Sequence, residues 1–271
     1  MRTLYVSDLD GTLLRSDQRT SEYTNRVINE LVGRGMIFSY ATARSYITAR
    51  KVTEGLVAPF PLIIYNGAFV RDNTTGEMLL RNFFPPGEGT ALVRDLVDNG
   101  IRPIVYAFVD GEEKFSYMAR AMNRGIQDFV LSRKGDVRDR PVENLDGLLK
   151  GDIFYVTCID EPGKLKPVLD KYVSRYHCVY QRDIYSGDQW LEIMPADAAK
   201  ATAIRQLKTL LDCSRLVVFG DGMNDLDMFH IADEAYAVEN AVPELKAAAT
   251  GIIGPNDRDS VARWLYEHFQ C

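Results

Sequence analysis

No run of basic residues in this chain exceeds a dipeptide, and its 32 Lys and Arg are outnumbered by 38 Asp and Glu, a formal charge of −6. Wide, non-specific nucleic-acid binding needs a concentrated basic surface, so nucleic acid is not an expected partner. No apolar run approaches the ~18 residues of a membrane span, which argues against a membrane partner. Asp8 and Asp10 interrupt the N-terminal apolar stretch too early for a secretory leader. Cysteine is scarce: Cys158, Cys178, Cys213 and Cys271 form no CxxC pair, and they read as reduced thiols of a cytoplasmic protein. The three histidines, His177, His230 and His268, follow no metal-ligand spacing. Repeats and low-complexity tracts are absent as well, which removes solenoids and disordered linkers.

What remains is ordinary globular composition, 46% apolar and 26% charged over 271 residues, enough for one or two domains with a core that needs no staples. Strand-like runs at Leu4–Ser7, Met36–Ala41 and Pro61–Tyr65 alternate with helical spacing at Ser21–Arg34 and Ser45–Glu54, the rhythm of βαβ units on a parallel sheet. Phe69–Arg71 and Met78–Arg81 suggest a hairpin added to that sheet. Asn82–Gly89, with Pro85, Pro86, Gly87 and Gly89, reads as a linker.

Beyond it the pattern becomes paired strands with helices between them: a hairpin around Asp110-Gly111, one helix over Arg120–Leu131, and strands Asp152–Ile159, His177–Ile184 and Trp190–Met194. A turn at Ser186-Gly187-Asp188 precedes the last of these. From Asp197 the βα alternation resumes through strands Arg215–Phe219, Ala235–Val238 and Gly251–Ile253, with Asn240 and Ser260 as expected helix caps. The expectation is an α/β protein. Its Rossmann-like, doubly wound parallel-sheet core (residues 1–82 and 190–271) is interrupted by an inserted α+β cap of antiparallel sheet and helices (83–189).

Chemistry concentrates at strand ends. Asp8-Leu9-Asp10-Gly11-Thr12-Leu13 follows the first strand; two carboxylates at i and i+2 there can serve one metal-bound phosphate, one as nucleophile and one as proton donor and acceptor. The bland alternative is a strand-end turn. Thr42 closes the next strand just before a helix starting near Arg44, where a hydroxyl and a helix-start N–H suit a phosphate oxygen; it could equally be a cap. Lys200 lies in the first turn of a helix with Asp197 as its expected cap. The helix dipole disfavours a cation there unless an anion sits opposite. Gly220-Asp221-Gly222-Met223-Asn224-Asp225 follows the strand Arg215–Phe219. Its glycines permit a tight turn, and Asp225 is either the next helix cap or a group holding Lys200 or a metal. Ligands of open α/β sheets bind outside the carboxyl ends of strands, so these loops can converge on one site. Aspartate ligation without paired Cys or His selects a hard cation, Mg²⁺.

These four segments, in this order, resemble the haloacid dehalogenase-like phosphohydrolases, in particular the Cof-type branch with a large cap inserted between the second and third motifs. DLDGTLL at 8–14, Thr42 of ATAR, Lys200, and GDGMND at 220–225 carry the likeness, with Asn66-Gly67-Ala68 and the stretch ENAVPELKAAA similar in addition. Three glycines usual in the branch are replaced, by Ala43, Ala201 and Ser260.

The resemblance implies a Mg²⁺-dependent phosphatase of small phosphorylated metabolites, sugar phosphates first and phosphorylated cofactors second. Asp8 is then the nucleophile that becomes a phosphoaspartate, and Asp10 the general acid and base. The metal is held by the Asp8 and Asp221 carboxylates and the backbone carbonyl of Asp10. Thr42, Ala43, Lys200, Asn224 and the backbone of Leu9 bind phosphate, and Asp225 supports them. The cap is expected to close over the site and set specificity; Tyr117, Arg120, Arg124, Tyr155, Asp183 and Trp190 are its unranked candidates, and a monomer is consistent with this reading. The rivals are a phosphomutase of the same superfamily and a phospho-ligand-binding module that has lost catalysis. The residues alone argue against a dinucleotide-dependent oxidoreductase, since no GxGxxG follows the first strand.

Overall fold

A computed structural model describes residues 2–182 and 187–269. Along the chain the elements run β1 (Thr3–Ser7), α1 (Glu22–Gly33), β2 (Ile37–Ala41), α2 (Tyr46–Val52), β3 (Pro61–Ile64), β4 (Phe69–Asp72), β5 (Met78–Arg81), α3 (Glu88–Asp98), β6 (Pro103–Val109) and β7 (Glu112–Met118). They continue with α4 (Arg124–Ser132), β8 (Asp139–Val142), α5 (Leu145–Leu148), β9 (Asp152–Ile159), α6 (Pro162–Tyr172), β10 (His177–Arg182) and β11 (Gln189–Met194). The last stretch is α7 (Lys200–Leu210), β12 (Arg215–Gly220), α8 (Leu226–Ile231), β13 (Glu234–Val238), α9 (Pro243–Ala248), β14 (Gly251–Ile253) and α10 (Ser260–His268). Among the described residues, no helix is long and apolar enough to cross a membrane.

The chain divides into two compact units, Met1–Arg81 with Ala198–Cys271, and Asn82–Asp197. In the first, one sheet runs β14-β13-β12-β1-β2-β3-β4-β5. The six strands from β14 to β3 are parallel, and β4 and β5 form the antiparallel hairpin at the edge. β1 and β12 are its centre. Leu4, Val6, Val218 and Phe219 are all fully buried, as expected for parallel strands covered on both faces. From β1 the chain winds first to β2 and β3, then returns to β12 and continues to β13 and β14. The β1/β12 crevice is therefore the point where strand order reverses, the place where such folds bind ligands.

Local signals explain the helices. Ser21 accepts the Thr24 N–H at the start of α1, and Ser45 and Thr48 form a reciprocal capping box on α2. Two expected caps are corrected. α9 begins after Val242 and α10 after Asp259. The Asn240 carboxamide instead donates to the Gly11 carbonyl (2.7 Å) and accepts from the Asn256 N–H (3.1 Å). Ser260 is the first residue inside α10, and its hydroxyl donates to the Pro255 carbonyl.

The second unit has its own sheet, β10-β11-β9-β6-β7-β8, antiparallel throughout except for the β7/β8 pair. Leu92, Val93 and Leu96 of α3 and Leu165 of α6 share a core with Val105, Val156, Leu191 and Ile193 of the strands. β11 belongs to this sheet, with Trp190 opposite Ile159 on one side and Gln181 on the other. The insert therefore returns after Asp197 rather than at position 190, the correction to the sequence boundary. The helix expected over Arg120–Leu131 is shorter, because Asn123 caps a start at Arg124 by accepting the Ile126 N–H. The expected strand end at Ile184, residue Ser186 of the expected turn, Asp183 and Cys271 lie outside the described residues.

Candidate active site

Strand β1 delivers Asp8 to the crevice, and the Asp8 N–H donates to the Phe219 carbonyl at the end of β12 (2.9 Å). The chain then turns through Leu9–Leu13, closed by the Leu14 N–H on the Leu9 carbonyl (2.9 Å). Gly11 has φ +78°, and a Cβ there would lie 2.3 Å from Asp221 Oδ2. Only glycine combines that backbone with that approach. The Thr12 hydroxyl donates to Asp221 Oδ1 (2.9 Å), tying the first loop to the loop after β12.

In that second loop, Asp225 folds back so that its Oδ2 accepts the N–H groups of Asp221 (3.0 Å) and Gly222 (3.1 Å). Its Oδ1 accepts from Lys200 Nζ (2.7 Å), and Lys200 also reaches Asp8 Oδ1 (2.5 Å). Lys200 is the first residue of α7, whose cap is Ala199 rather than Asp197. Its placement against the helix dipole is offset by these two carboxylates. Asp8, Lys200 and Asp225 are 5%, 3% and 0% exposed.

Burial pushes the Asp8 carboxyl well above the usual carboxylate value, against the pull of Lys200, and the Asp225, Asp221 and Asp10 charges add to the rise. Burial, with the neighbouring Asp225 charge, moves Asp221 up to about 7. For Lys200, burial alone would favour the neutral amine; Asp225 and Asp8 outweigh it and hold the ammonium charged.

Oxygens of Asp8, Asp221 and Asp225 lie within 4.8 Å of one another. Two buried carboxylates and the half-buried Asp221, against one ammonium, leave an excess of negative charge, and every donor is a hard oxygen. This set fits a hard divalent cation such as Mg²⁺. Asp225 already accepts from Lys200 and two amides, so Asp8 and Asp221 are the better-placed carboxylates.

Thr42 is buried at the end of β2, where its hydroxyl accepts the Arg44 N–H (3.1 Å). Ala43 follows it, half-buried. Leu9 buries its side chain completely, so only its backbone can serve a ligand. The half-buried Asn224 turns its carboxamide oxygen toward Gly222. The Asp10 carboxylate faces Arg44: Nε donates to Oδ2 (2.8 Å) and Nη2 to Oδ1 (2.6 Å). Sequence reasoning does not single out Arg44, although it stands two residues after Thr42, nor Asn256, whose carboxamide donates to the Leu14 carbonyl; it reads Asn240, which holds the Gly11 carbonyl, only as a helix cap. Of the cap candidates, Tyr117 and Tyr155 are buried, Arg124 is 95% exposed at its side chain, and Trp190 packs against Phe129.

A family model described as haloacid dehalogenase-like hydrolase matches residues 5–265. The chain is 25% identical over 277 residues to a 5-amino-6-(5-phospho-D-ribitylamino)uracil phosphatase of Bacillus subtilis (strain 168), covering 95% of each chain. It is 27% identical over 267 residues to an Escherichia coli (strain K12) phosphatase of the same name, covering 95% of this chain and 93% of the other. Among solved structures, the Thermotoga maritima protein TM0651 superposes with a TM-score of 0.79 and 26% identity, over 100% of this chain and 98% of that one. The chain belongs to the haloacid dehalogenase-like hydrolase family, and it is a hydrolase whose relatives are phosphatases.

Proposed function

We propose that the protein is a Mg²⁺-dependent phosphomonoesterase of the cytoplasm, hydrolysing small phosphorylated metabolites through a phosphoaspartate on Asp8. The observation that carries this reading is the buried Asp8–Lys200–Asp225 chain beside Asp221, at the ends of two adjacent parallel strands. Asp8 and Asp221, with the Asp10 carbonyl, would hold the cation; when bound it neutralises phosphate and carboxylate charge so that the two anions can meet.

The residues divide the remaining work. Asp8 attacks phosphorus, forming an aspartyl P–O bond as the ester P–O bond breaks. A carboxylate is a weak nucleophile, so alignment supplies much of the rate. Lys200, Thr42, the Asn224 carboxamide and the N–H groups of Leu9 and Ala43 bind the phosphoryl oxygens. Asp10 gives its proton to the leaving alcohol. It then takes one from the water that attacks the aspartyl phosphate, which returns Asp8 and releases inorganic phosphate. Asp225 keeps Lys200 charged and braces the Asp221 loop.

Sugar or sugar-alcohol phosphates are the first substrate class. Two relatives are named for a phosphorylated ribityl compound, which supports that choice. The test is phosphate release from a panel of sugar phosphates, pyridoxal phosphate and flavin mononucleotide, with Mg²⁺ or with EDTA. Metal-dependent release that vanishes in Asp8→Asn supports the reading. Phosphate release that needs an acceptor sugar would replace it with a phosphomutase, and tight binding without turnover would replace it with a binding module.

A further inference from the structure

Asp10 serves the reaction only if its carboxyl is held toward the leaving oxygen, and it lies on a loop, on a single rotatable side chain. The structure shows what holds it. Arg44 grips both carboxylate oxygens with two parallel N–H groups, at 2.8 and 2.6 Å, and the two side chains are 19% and 25% exposed. A bidentate fork fixes the plane of a carboxyl as well as its position.

Arg44 is itself anchored from three directions. Its N–H donates to the Thr42 hydroxyl, its carbonyl accepts the Tyr65 N–H (3.0 Å), and the next residue, Ser45, caps α2. The Thr42 carbonyl accepts the Asn66 N–H (2.9 Å). These two amides come from a bend in which Tyr65, Asn66 and Gly67 have φ of +50°, +52° and +102°. Left-handed backbone at a bulky tyrosine is unfavourable, and it persists where surrounding contacts over-determine it. The same bend touches the start of α7: a Cβ on Gly67 would lie 2.3 Å from the Ala199 carbonyl, one residue before Lys200. One strained turn thus sets the place of Arg44 and of the helix that carries Lys200. On the other side, the Asp10 loop is pinned by the Leu9–Leu14 bond and by Asn240 on the Gly11 carbonyl.

We propose that Arg44 is the positioning residue for Asp10, holding its carboxyl for proton transfer to the leaving alcohol. The inference rests on the phosphomonoesterase reading and adds to it a residue that acts through Asp10. The proton passes from the Asp10 carboxyl to the ester oxygen as the P–O bond breaks, and the carboxylate left behind is the form the guanidinium fork binds.

The test uses leaving groups. A p-nitrophenolate departs without a proton, whereas the alkoxide of glycerol 2-phosphate needs one. In a double-displacement reaction, kcat/KM reports steps only as far as departure of the alcohol. It is measured for both esters with wild type, Asp8→Asn, Asp10→Asn, Arg44→Ala and Arg44→Lys, each checked for native circular dichroism. General acid catalysis contributes about 10²–10⁴-fold. Arg44→Ala is therefore expected to lose about 100-fold on the alkyl ester and less than about 10-fold on the aryl ester, the pattern expected of Asp10→Asn. Arg44→Lys, with a point charge in place of the fork, should regain part of the alkyl-ester rate alone; it also carries the test if Arg44→Ala does not fold. Equal losses on both esters, or none on either, while Asp10→Asn keeps its selectivity, would overturn the role of Arg44 and leave the phosphatase reading intact. Full activity in Asp8→Asn, or an Asp10→Asn variant blind to the leaving group, would remove the reading beneath it.

Discussion

Replacing Lys200 with methionine isolates the electrostatic argument. Lys200 makes both its ionic contacts inside the protein, with Asp8 and Asp225, and all three side chains are at least nine-tenths buried. Without the ammonium, two carboxylates face each other and Asp221 with no cation among them. Breaking a buried pair in this way costs about 3–5 kcal/mol. The protein can limit the loss by protonating one carboxylate, starting from an ordinary value of 3.8. Near pH 7 that costs about 4 kcal/mol at 1.36 kcal/mol per pH unit, so the two routes agree. At about 2–4 °C per kcal/mol, the melting temperature in EDTA should fall by about 6 °C or more.

The pH dependence has a definite sign. Lowering the pH to about 5 makes protonation cheaper by about 2.7 kcal/mol, so the deficit of Lys200→Met should shrink there. Adding Asp225→Asn should recover part of the loss at pH 7, since contacting residues are not additive. Thermal melts of wild type, Lys200→Met and the double variant at both pH values provide the assay. A deficit below about 1 kcal/mol at pH 7, or one equal at both pH values, would refute the reasoning.

Other expectations follow from the same geometry. Gly11→Ala should lower Mg²⁺ affinity and activity by more than about 10-fold while the fold survives, because its Cβ would displace the Asp221 carboxylate; isothermal titration and turnover measure this. Asp8 and Asp221 have folded-state values above their unfolded ones, so both favour the metal-free protein below about pH 4, and the Asp221 contribution is lost as pH rises through about 7. Mg²⁺ should therefore raise the melting temperature more at about pH 8 than at about pH 5. Asp259 behaves oppositely: against the upward push of burial, bonds from Arg15, Ser21 and Thr24 hold its carboxyl below the usual range. The stability gap between wild type and Asp259→Ala, about 1–3 kcal/mol, should be full near neutrality and close as pH falls below about 4.

The strands of the parallel sheet were legible because continuous apolar runs such as Arg215–Phe219 end in polar, glycine-containing loops, and those ends are where the carboxylates stand. The convergence of the Asp8, Thr42 and Asp221 loops follows from the topology that such runs imply, and Lys200 is marked by its awkward place at a helix start. What escaped depends on contacts between distant positions. The Arg44–Asp10 pair spans 34 positions and leans on the left-handed bend at Tyr65–Gly67; Asn66-Gly67 signals a turn, but the positive φ of Tyr65 is not announced by its residue type. The cap of Lys200's helix was misplaced because aspartate has the stronger local propensity, yet the chain starts its helix after Ala199. The boundary at 190 cuts β11 away from the strands it pairs with because QWLEIM would suit either sheet, and only its pairing with β9 and β10 decides. β8 was missed because DRPV is short, charged and holds a proline, tolerated on an edge strand.

The central claim is that Asp8 carries the phosphoryl group between two half-reactions. An ester with a good leaving group makes the second half-reaction the slow one, so the intermediate should accumulate. The most direct measurement is rapid acid quench during turnover of p-nitrophenyl phosphate with Mg²⁺, followed by mass spectrometry of the intact protein and its peptides. The expected result is a burst of p-nitrophenolate matched by one phosphoryl group on the peptide containing Asp8, absent in Asp8→Asn. Steady Mg²⁺-dependent phosphate release with no burst and no adduct, or an adduct on another residue, would contradict it.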